Sequence, residues 1–519
     1  MHLILPYFQY FSWFVIYYFL TINLIYLILV IISYFHIRSQ LWKKKVYTLS
    51  GLYKSELYKP ISIIAPAFNE EANIITSITS LLQLQFPDFE VVVVNDGSTD
   101  RTLSLLMDQF KLIPDDKIVA EVIPHKPIKQ IYKSETHPNL IVVDKENGRK
   151  ADSMNAGLNV AEKELVCMID ADSILESDVL LKLLEAFSED ERTIAVGGII
   201  RAANGCTIEN SMVKKVGMPR NFLARIQVVE YLRAFLFGRV GWDYLNSLLI
   251  ISGAFGVFDR EAVITVGGFL HDTIGEDMEM VVRLHRYYRE HKLPYRIRFL
   301  PEPVCWTEVP ESWEVLGKQR NRWQRGLTDT MMRHKKMLFN PKYGVIGMLA
   351  MPFFFFFEML GPVIELIGFI YFFVQLIMGH MNSAFVIMFF GVAILLGMIL
   401  SISSILCEEF TFHRFPNVKD VFIMSFHAFF ENIGYRQIHT WWRFRGIIDY
   451  FNGNLEWGDM AKKGFGNKQP KPHKAIWERI KDLRYWSVIG LVMFLVGLLL
   501  YHFAQQVIAT GSLSKVIGL

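Results

Sequence analysis

Val91-Val92-Val93-Val94-Asn95-Asp96-Gly97-Ser98-Thr99-Asp100 runs four β-branched residues straight into an aspartate, a glycine turn and a set of helix-starting residues. A run apolar on both faces predicts a strand buried on both sides, and Asp or Ser after it suits a helix N-cap. Working outward, Ile61–Ala65, Glu90–Asn95, Leu140–Asp144 and Leu165–Ile169 read as buried strands of this kind. The amphipathic stretches 70–83, 99–111, 151–161 and 176–188 read as helices between them. Such alternation predicts an α/β, Rossmann-like unit with a mainly parallel sheet covered on both faces. Ligands bind such sheets at the carboxyl ends of the strands, where Asn69, Asp96 and Asp170 fall. Residues 112–139, with several Pro and Lys, read as a surface excursion. Residues 204–248, with Lys214, Lys215, Arg220, Arg225, Arg233 and Arg239 among apolar positions, read as an amphipathic excursion near a membrane surface.

The flanks of this unit belong to a bilayer. The 519 residues are 52% hydrophobic and 14% aromatic, too apolar for a purely soluble chain. A formal charge of +3 gives no bulk basic field, so no nucleic-acid partner is expected. The four cysteines are far apart and form no CxxC pair, against both a structural zinc site and a disulfide framework. Cys167 sits in an apolar strand as a small core residue.

Residues 8–35 exceed the ~20 apolar residues that a spanning helix needs. Arg38 and Lys43 to Lys45 follow, placing residue 40 in the cytosol. Further spans are expected at 353–378, 384–406 and 486–508. Glu431, Arg436, Arg443 and Arg445 interrupt 418–450, which reads as interfacial helices on the cytosolic side. A fifth crossing at 418–436 would carry the lysines of 462–474 outside, against the positive-inside rule. The expected organisation is an N-terminal transmembrane helix at 1–40, a cytosolic α/β domain at 55–340 and two transmembrane helices at 341–407. Interfacial helices and a cytosolic loop at 408–480 and a last transmembrane helix at 481–519 complete it. Glu358 and Glu365 within an apolar span either line a polar channel or pair with neighbouring helices.

Chemistry is concentrated in carboxylates of the α/β part. Asp96 at a strand end can accept hydrogen bonds from a base or ribose, or cap the next helix. Asp170-Ala171-Asp172 can hold a hard cation through oxygen, with a nucleotide diphosphate completing the shell. Glu276-Asp277 opens a helical run, and Asp277 is the candidate general base. Phe68-Asn69-Glu70-Glu71 can clamp a base, though the two glutamates also suit a helix start. In Gly148-Arg149-Lys150-Ala151-Asp152, Lys150 can meet phosphate and Asp152 ribose or base. Gln319-Arg320-Asn321-Arg322-Trp323 places Gln319, Arg322 and Trp323 on one helix face, where guanidinium forks suit a diphosphate and an indole can stack on a sugar. The same helix also reads as a basic interfacial anchor.

In this order the motifs resemble those of the membrane-embedded family 2 glycosyltransferases, the cellulose, hyaluronan and poly-N-acetylglucosamine synthases. Pro66 to Glu71, Asn95 to Ser98, Lys150-Ala-Asp152, Asp170-Ala-Asp172, Ser252 to Gly256, Glu276-Asp277 and Gln319 to Trp323 carry the resemblance, firmly over 58 to 340. It implies a GT-A fold inserted between transmembrane helices, a UDP-sugar donor, and Mg2+ or Mn2+ bound through Asp172 with Asp170 near the donor sugar. Asp277, beside Glu276, would deprotonate the acceptor hydroxyl in one inverting displacement. Phe68, Glu70, Asp96, Lys150 and Asp152 would hold the nucleotide, and Gln319, Arg320 and Arg322 the diphosphate. Trp323, Gly253 and Phe255 would border the acceptor.

The resemblance implies a processive synthase of a β-linked polysaccharide in a bacterial inner membrane, with room for an accessory subunit. The alternative is a single transfer to a membrane lipid. The Phe-x-Val-Thr-x-Lys gating loop of the cellulose synthases is missing from the sequence given. Trp457 to Phe465 stands where such a loop could lie and is more like the chitin-oligosaccharide and hyaluronan branch.

Overall fold

In the computed structural model, which describes residues 5–46, 59–377, 383–415, 417–454 and 487, the Val91 run lies inside a ten-stranded sheet. In chain order the strands are β1 (Ile61–Ala67), β2 (Phe89–Asn95), β3 (Leu112–Asp115), β4 (Ile128–Ser134), β5 (Leu140–Lys145) and β6 (Leu165–Ile169). There follow β7 (Ser173–Leu175), β8 (Thr193–Ala202), β9 (Thr207–Glu209), β10 (Met212–Lys215), β11 (Phe255–Asp259) and β12 (Arg296–Thr307). The sheet order is β3-β4-β5-β2-β1-β6-β11-β8-β12-β7, and β9 with β10 makes a separate hairpin.

The four strands expected from their apolar runs, β5, β2, β1 and β6, are adjacent and parallel. Outside them the sheet is mixed: β4, β7 and β11 run against the other seven strands. From β1 the order leads to β2 and β5 on one side and to β6 on the other. The carboxyl ends of β1 and β6 therefore flank a topological switch point, where an open sheet leaves a crevice.

Alternation along the inner strands divides the apolar residues between two cores. Val92 and Val94 face one cluster, with the Arg149–Val160 and Glu276–Glu290 helices. Val91 and Val93 face the other, under the Ile74–Leu82, Thr102–Phe110 and Val179–Glu189 helices. The first cluster also takes in Leu29, Val30 and Ile37 of the N-terminal helix, so the sheet and that helix share one apolar core.

Residues 112–139 depart from expectation. They are not a plain excursion: β3 and β4 add two antiparallel strands to one edge of the sheet. Their half-exposed pattern, with only Ile131 and Ser134 of β4 buried, hides them among prolines and lysines. The outermost strand, β3, is four residues long, contains Pro114, and pairs Asp115 with Lys133 at 3.0 Å.

Two helices among the described residues are long and apolar enough to span, Tyr10–Leu41 and Met388–Thr411. A third crossing arises only if Ile346–Met359 and Gly361–Gln375, bent by 42°, count as one. The expected straight span 353–378 is thus broken near its start. Pro362, which lacks an N–H, begins the new helix there. The span expected at 486–508 and the loop at Trp457 to Phe465 lie outside the described residues.

Between 418 and 451 the chain forms two helices, Val418–Phe430 and Arg436–Phe451, separated by non-helical Ile433 and by Gly434 at φ 84°. Glu358 and Glu365 pair with the second of these: Arg443 Nη2 lies 3.0 Å from Glu358 Oε2, and Arg436 Nη2 lies 2.8 Å from Glu365 Oε1.

Candidate active site

The loops that leave β1 and β2 are laced together. Asn69, at φ 55°, donates its backbone N–H to Ser98 Oγ (3.0 Å) and accepts from the Thr99 N–H at 2.8 Å. Glu70 and Glu71 donate backbone N–H groups to Thr102 Oγ1 (2.9 Å) and Asp100 Oδ2 (3.1 Å). Phe68 remains half exposed beside them.

Asp96 and Asp152 are buried around one lysine that the sequence reading did not single out. Lys145, at the end of β5 and 0% exposed, sets its Nζ 2.8 Å from Asp96 Oδ1 and 2.6 Å from Asp152 Oδ1. Asp96 also accepts from the Gly148 N–H (2.9 Å) and Arg149 N–H (2.8 Å), and Asp152 from the Lys126 N–H at 2.9 Å. Asp152 closes so tightly under the turn that a Cβ on Gly148 would stand 2.3 Å from its Oδ1. His271 reaches the same corner, its Nδ1 3.6 Å from Asp152 Oδ2.

At the carboxyl end of β6 the remaining expected groups converge. Lys150 Nζ lies 2.6 Å from Asp170 Oδ1 and 3.4 Å from Glu276 Oε1, and donates to the Gly253 carbonyl at 3.1 Å. Burial works against the ammonium, but Asp170 and Glu276 outweigh it and hold Lys150 above its ordinary pKa. Burial, with Asp277 beside it, pushes the Glu276 carboxyl up against the pull of Lys150 and Arg322.

Half-buried Asp277 accepts from the Gly253 N–H at Oδ2 (2.9 Å) and from the Met278 N–H at Oδ1 (2.8 Å). Each oxygen keeps a lone pair for a further donor. Glu276, Asp277 and Glu279 all sit in the first helical turn, where negative charge suits the helix dipole.

The Trp313–Arg333 helix meets that turn at two glycines. A Cβ on Gly326 would lie 2.9 Å from the Gly275 Cα, and the reverse holds for Gly275. The close approach brings the helix carrying Gln319 to Trp323 against Glu276 and Asp277. Arg322 acts electrostatically on Glu276. Arg320 is spent elsewhere: 1% exposed, it donates from Nη2 to Glu230 Oε2 at 2.7 Å and lies 4.2 Å over the Trp323 ring. Glu230 is a second functional candidate missed in the sequence, where the signal was one acid in the apolar helix Phe222–Tyr231.

Phe255 corrects an expectation. It is 0% exposed on β11, pairs with Ile169 and belongs to the second core, so its ring cannot border an acceptor. Gly253 does lie at the site, touching Lys150 and Asp277 through its backbone.

The donor set suits a hard cation. Asp170 and Asp172 offer only oxygen, and the Lys150 ammonium already rests where the carboxylates of Asp170 and Glu276 draw positive charge. No group of three or more His, Cys, Asp or Glu side chains forms a complete metal shell among the described residues. An ion held by Asp172 with Asp170 would need further oxygens, which a diphosphate has.

Residues 62–266 match the model of glycosyl transferase family 2, and residues 165–400 that of glycosyl transferase family group 2. These two overlapping matches support a family 2 glycosyltransferase. It is 29% identical over 293 residues to the poly-beta-1,6-N-acetyl-D-glucosamine synthase of Staphylococcus epidermidis, covering 56% of this chain and 60% of that one. To the synthase of the same name in Staphylococcus aureus it is 30% identical over 276 residues, covering 53% and 56%. The match thus spans less than two thirds of the length of these curated relatives. Among solved structures, a mannosyltransferase from Pyrobaculum calidifontis in complex with GDP-Man and Mn2+ aligns over 84% of this chain and 99% of that one. Its identity is 15% and its TM-score 0.48, a likeness too loose to carry an argument.

Proposed function

We propose that the protein is a processive, inverting synthase that moves a sugar from a UDP-sugar to a growing β-linked polysaccharide and passes the product to its own membrane helices. The observation that carries this reading is the meeting of Lys150, Asp170, Glu276, Gly253 and Asp277 at the carboxyl end of β6, beside the Gln319–Trp323 turn. The similarity to two poly-beta-1,6-N-acetyl-D-glucosamine synthases supports a polymer as product and an N-acetylglucosamine donor as the first to test.

In this reading Asp96 and Asp152, fixed by Lys145, frame the nucleoside, with Phe68 and Glu70 at its rim. Lys150 and Arg322 neutralise the diphosphate, and the Gln319 amide hydrogen-bonds to it. Mg2+ or Mn2+ held by Asp172 and Asp170 would add Lewis-acid stabilisation of the leaving diphosphate. Asp277 takes the proton of the acceptor hydroxyl, with the Gly253 N–H orienting its carboxylate. The buried Glu276 anchors Lys150 beside it.

The test is to reconstitute the purified protein in lipid with Mg2+ or Mn2+, supply a panel of UDP-sugars including UDP-N-acetylglucosamine, and size the product. A long polymer from one donor is expected. A lone glycolipid would replace processive synthesis by single transfer, and the absence of transfer from every donor would remove the enzyme reading.

A further inference from the structure

Three polar side chains from two separate parts of the chain converge on one carboxylate, Glu230. Arg320 donates to its Oε2 at 2.7 Å, the Tyr435 hydroxyl donates to the same oxygen at 3.3 Å, and His439 Nε2 lies 3.8 Å from Oε1. Glu230 belongs to the Phe222–Tyr231 helix, Arg320 to the Trp313–Arg333 helix, and Tyr435 with His439 to the segment that follows the break at Gly434. The Tyr435 and His439 rings stack with centroids 5.9 Å apart.

The guanidinium held in this way lies 4.2 Å from the Trp323 ring, and Trp323 is 39% exposed. A buried cation beneath an exposed indole fixes the plane of the ring and restricts its rotamers. A fixed aromatic plane is what a pyranose needs for stacking, since its axial C–H groups pack on a flat apolar face. Arg320 has its Nη2 on Glu230, while its Nε and Nη1 are buried without hydrogen-bond partners. The guanidinium is thus oriented by Glu230, with the Tyr435 hydroxyl beside it.

We propose that Glu230 is a positioning residue for the acceptor. It holds Arg320 under Trp323, so that Arg320 serves the sugar platform rather than the diphosphate, and it ties that platform to the Arg436–Phe451 helix. This rests on the reading that Trp323 borders the acceptor, and it reassigns Arg320 from the donor side. Conventional charge neutralisation of the leaving group then falls to Lys150 and Arg322.

The test uses the full-length protein in lipid, with the UDP-sugar that wild type turns over and a five-unit oligosaccharide of the same sugar as acceptor. For Glu230→Gln, UDP affinity and donor KM should stay within about twofold of wild type. The KM for the oligosaccharide should rise about tenfold and the mean product length should fall. Glu230→Asp, which keeps the charge, should recover part of the acceptor KM. Should Glu230→Gln fail to fold, judged by its thermal transition, Arg320→Lys asks the same question, because it keeps the charge and loses the planar stack.

Loss of UDP affinity in step with acceptor affinity would overturn the proposal and return Arg320 to the diphosphate. Unchanged acceptor KM in a folded Glu230→Gln variant would overturn it as well. Failure of wild type itself to transfer any sugar is a different result and strikes the proposed function.

Discussion

Among single side chains, Asp277 has the environment of a base that stays oriented: two backbone N–H groups hold its oxygens, and neither is a charged partner that would quench it. Asp277→Asn keeps the shape and removes the proton acceptor. Transfer should fall by about 10²–10⁴ while UDP binding is retained, as measured by turnover and by titration calorimetry. Loss of UDP binding would place this residue in the donor site instead.

A second carboxyl, buried at Asp243, leads to an expected pH dependence. Asp243 is 1% exposed, and burial raises its pKa from 3.8 to about 6 against the opposing charges of Arg298 and Arg296. A raised carboxyl contributes stability that is complete below about pH 4 and is lost as the pH climbs through about 6. Two pKa units correspond to roughly 3 kcal/mol. Asp243→Asn should therefore flatten the stability profile between pH 4 and 7 and raise the melting temperature at pH 7.5; an unchanged profile would contradict the assignment.

At the scale of elements, the Gly275–Gly326 contact sets the distance between the Glu276–Asp277 turn and the Gln319–Trp323 helix. Alanine at 326 gains about 1 kcal/mol of helix propensity, whereas overpacking of this kind costs about 1–3 kcal/mol. The two nearly offset in stability, but the spacing does not recover, because the atom met at 2.9 Å is backbone. Gly326→Ala is expected to melt close to wild type and to lose about tenfold in kcat. A kcat equal to wild type would show that the spacing is not critical.

Legibility in the sequence follows the same physics. The runs at Ile61, Val91, Leu140 and Leu165 could be read because both faces of those strands are buried, leaving continuous apolar stretches. Strands β3 and β4 were hidden because strands at and next to the sheet border are half solvated. Acidic motifs at strand ends were readable one by one. Lys145 and Glu230 were not, since a charged residue shows its worth only when distant partners close on it.

For the whole molecule, half-buried ion pairs knit the membrane-side helices together, and a hydrogen bond from Arg443 joins them to the Trp313–Arg333 helix. Arg443 donates to Gln324 Oε1 at 2.7 Å on the Trp313–Arg333 helix and pairs with Glu358, while Arg436 and Thr440 both meet Glu365. Removing one partner of a buried pair leaves an uncompensated charge, at a cost of about 3–5 kcal/mol, whereas apolar replacement of both can be close to neutral. Arg436→Met should thus lower the melting temperature more than Arg436→Met combined with Glu365→Met. Equal losses in single and double variants would show that the pair is not coupled.

The four-residue outer strand has a consequence for how copies of this chain meet. Strand β3 closes one side of a broad sheet, and an open sheet border is a template on which a neighbouring chain can add its own backbone. Pro114 offers no N–H there, and Lys133 and Asp115 put charge along the rim. Copies of this chain that meet at this border are thereby kept from fusing their sheets into a ribbon.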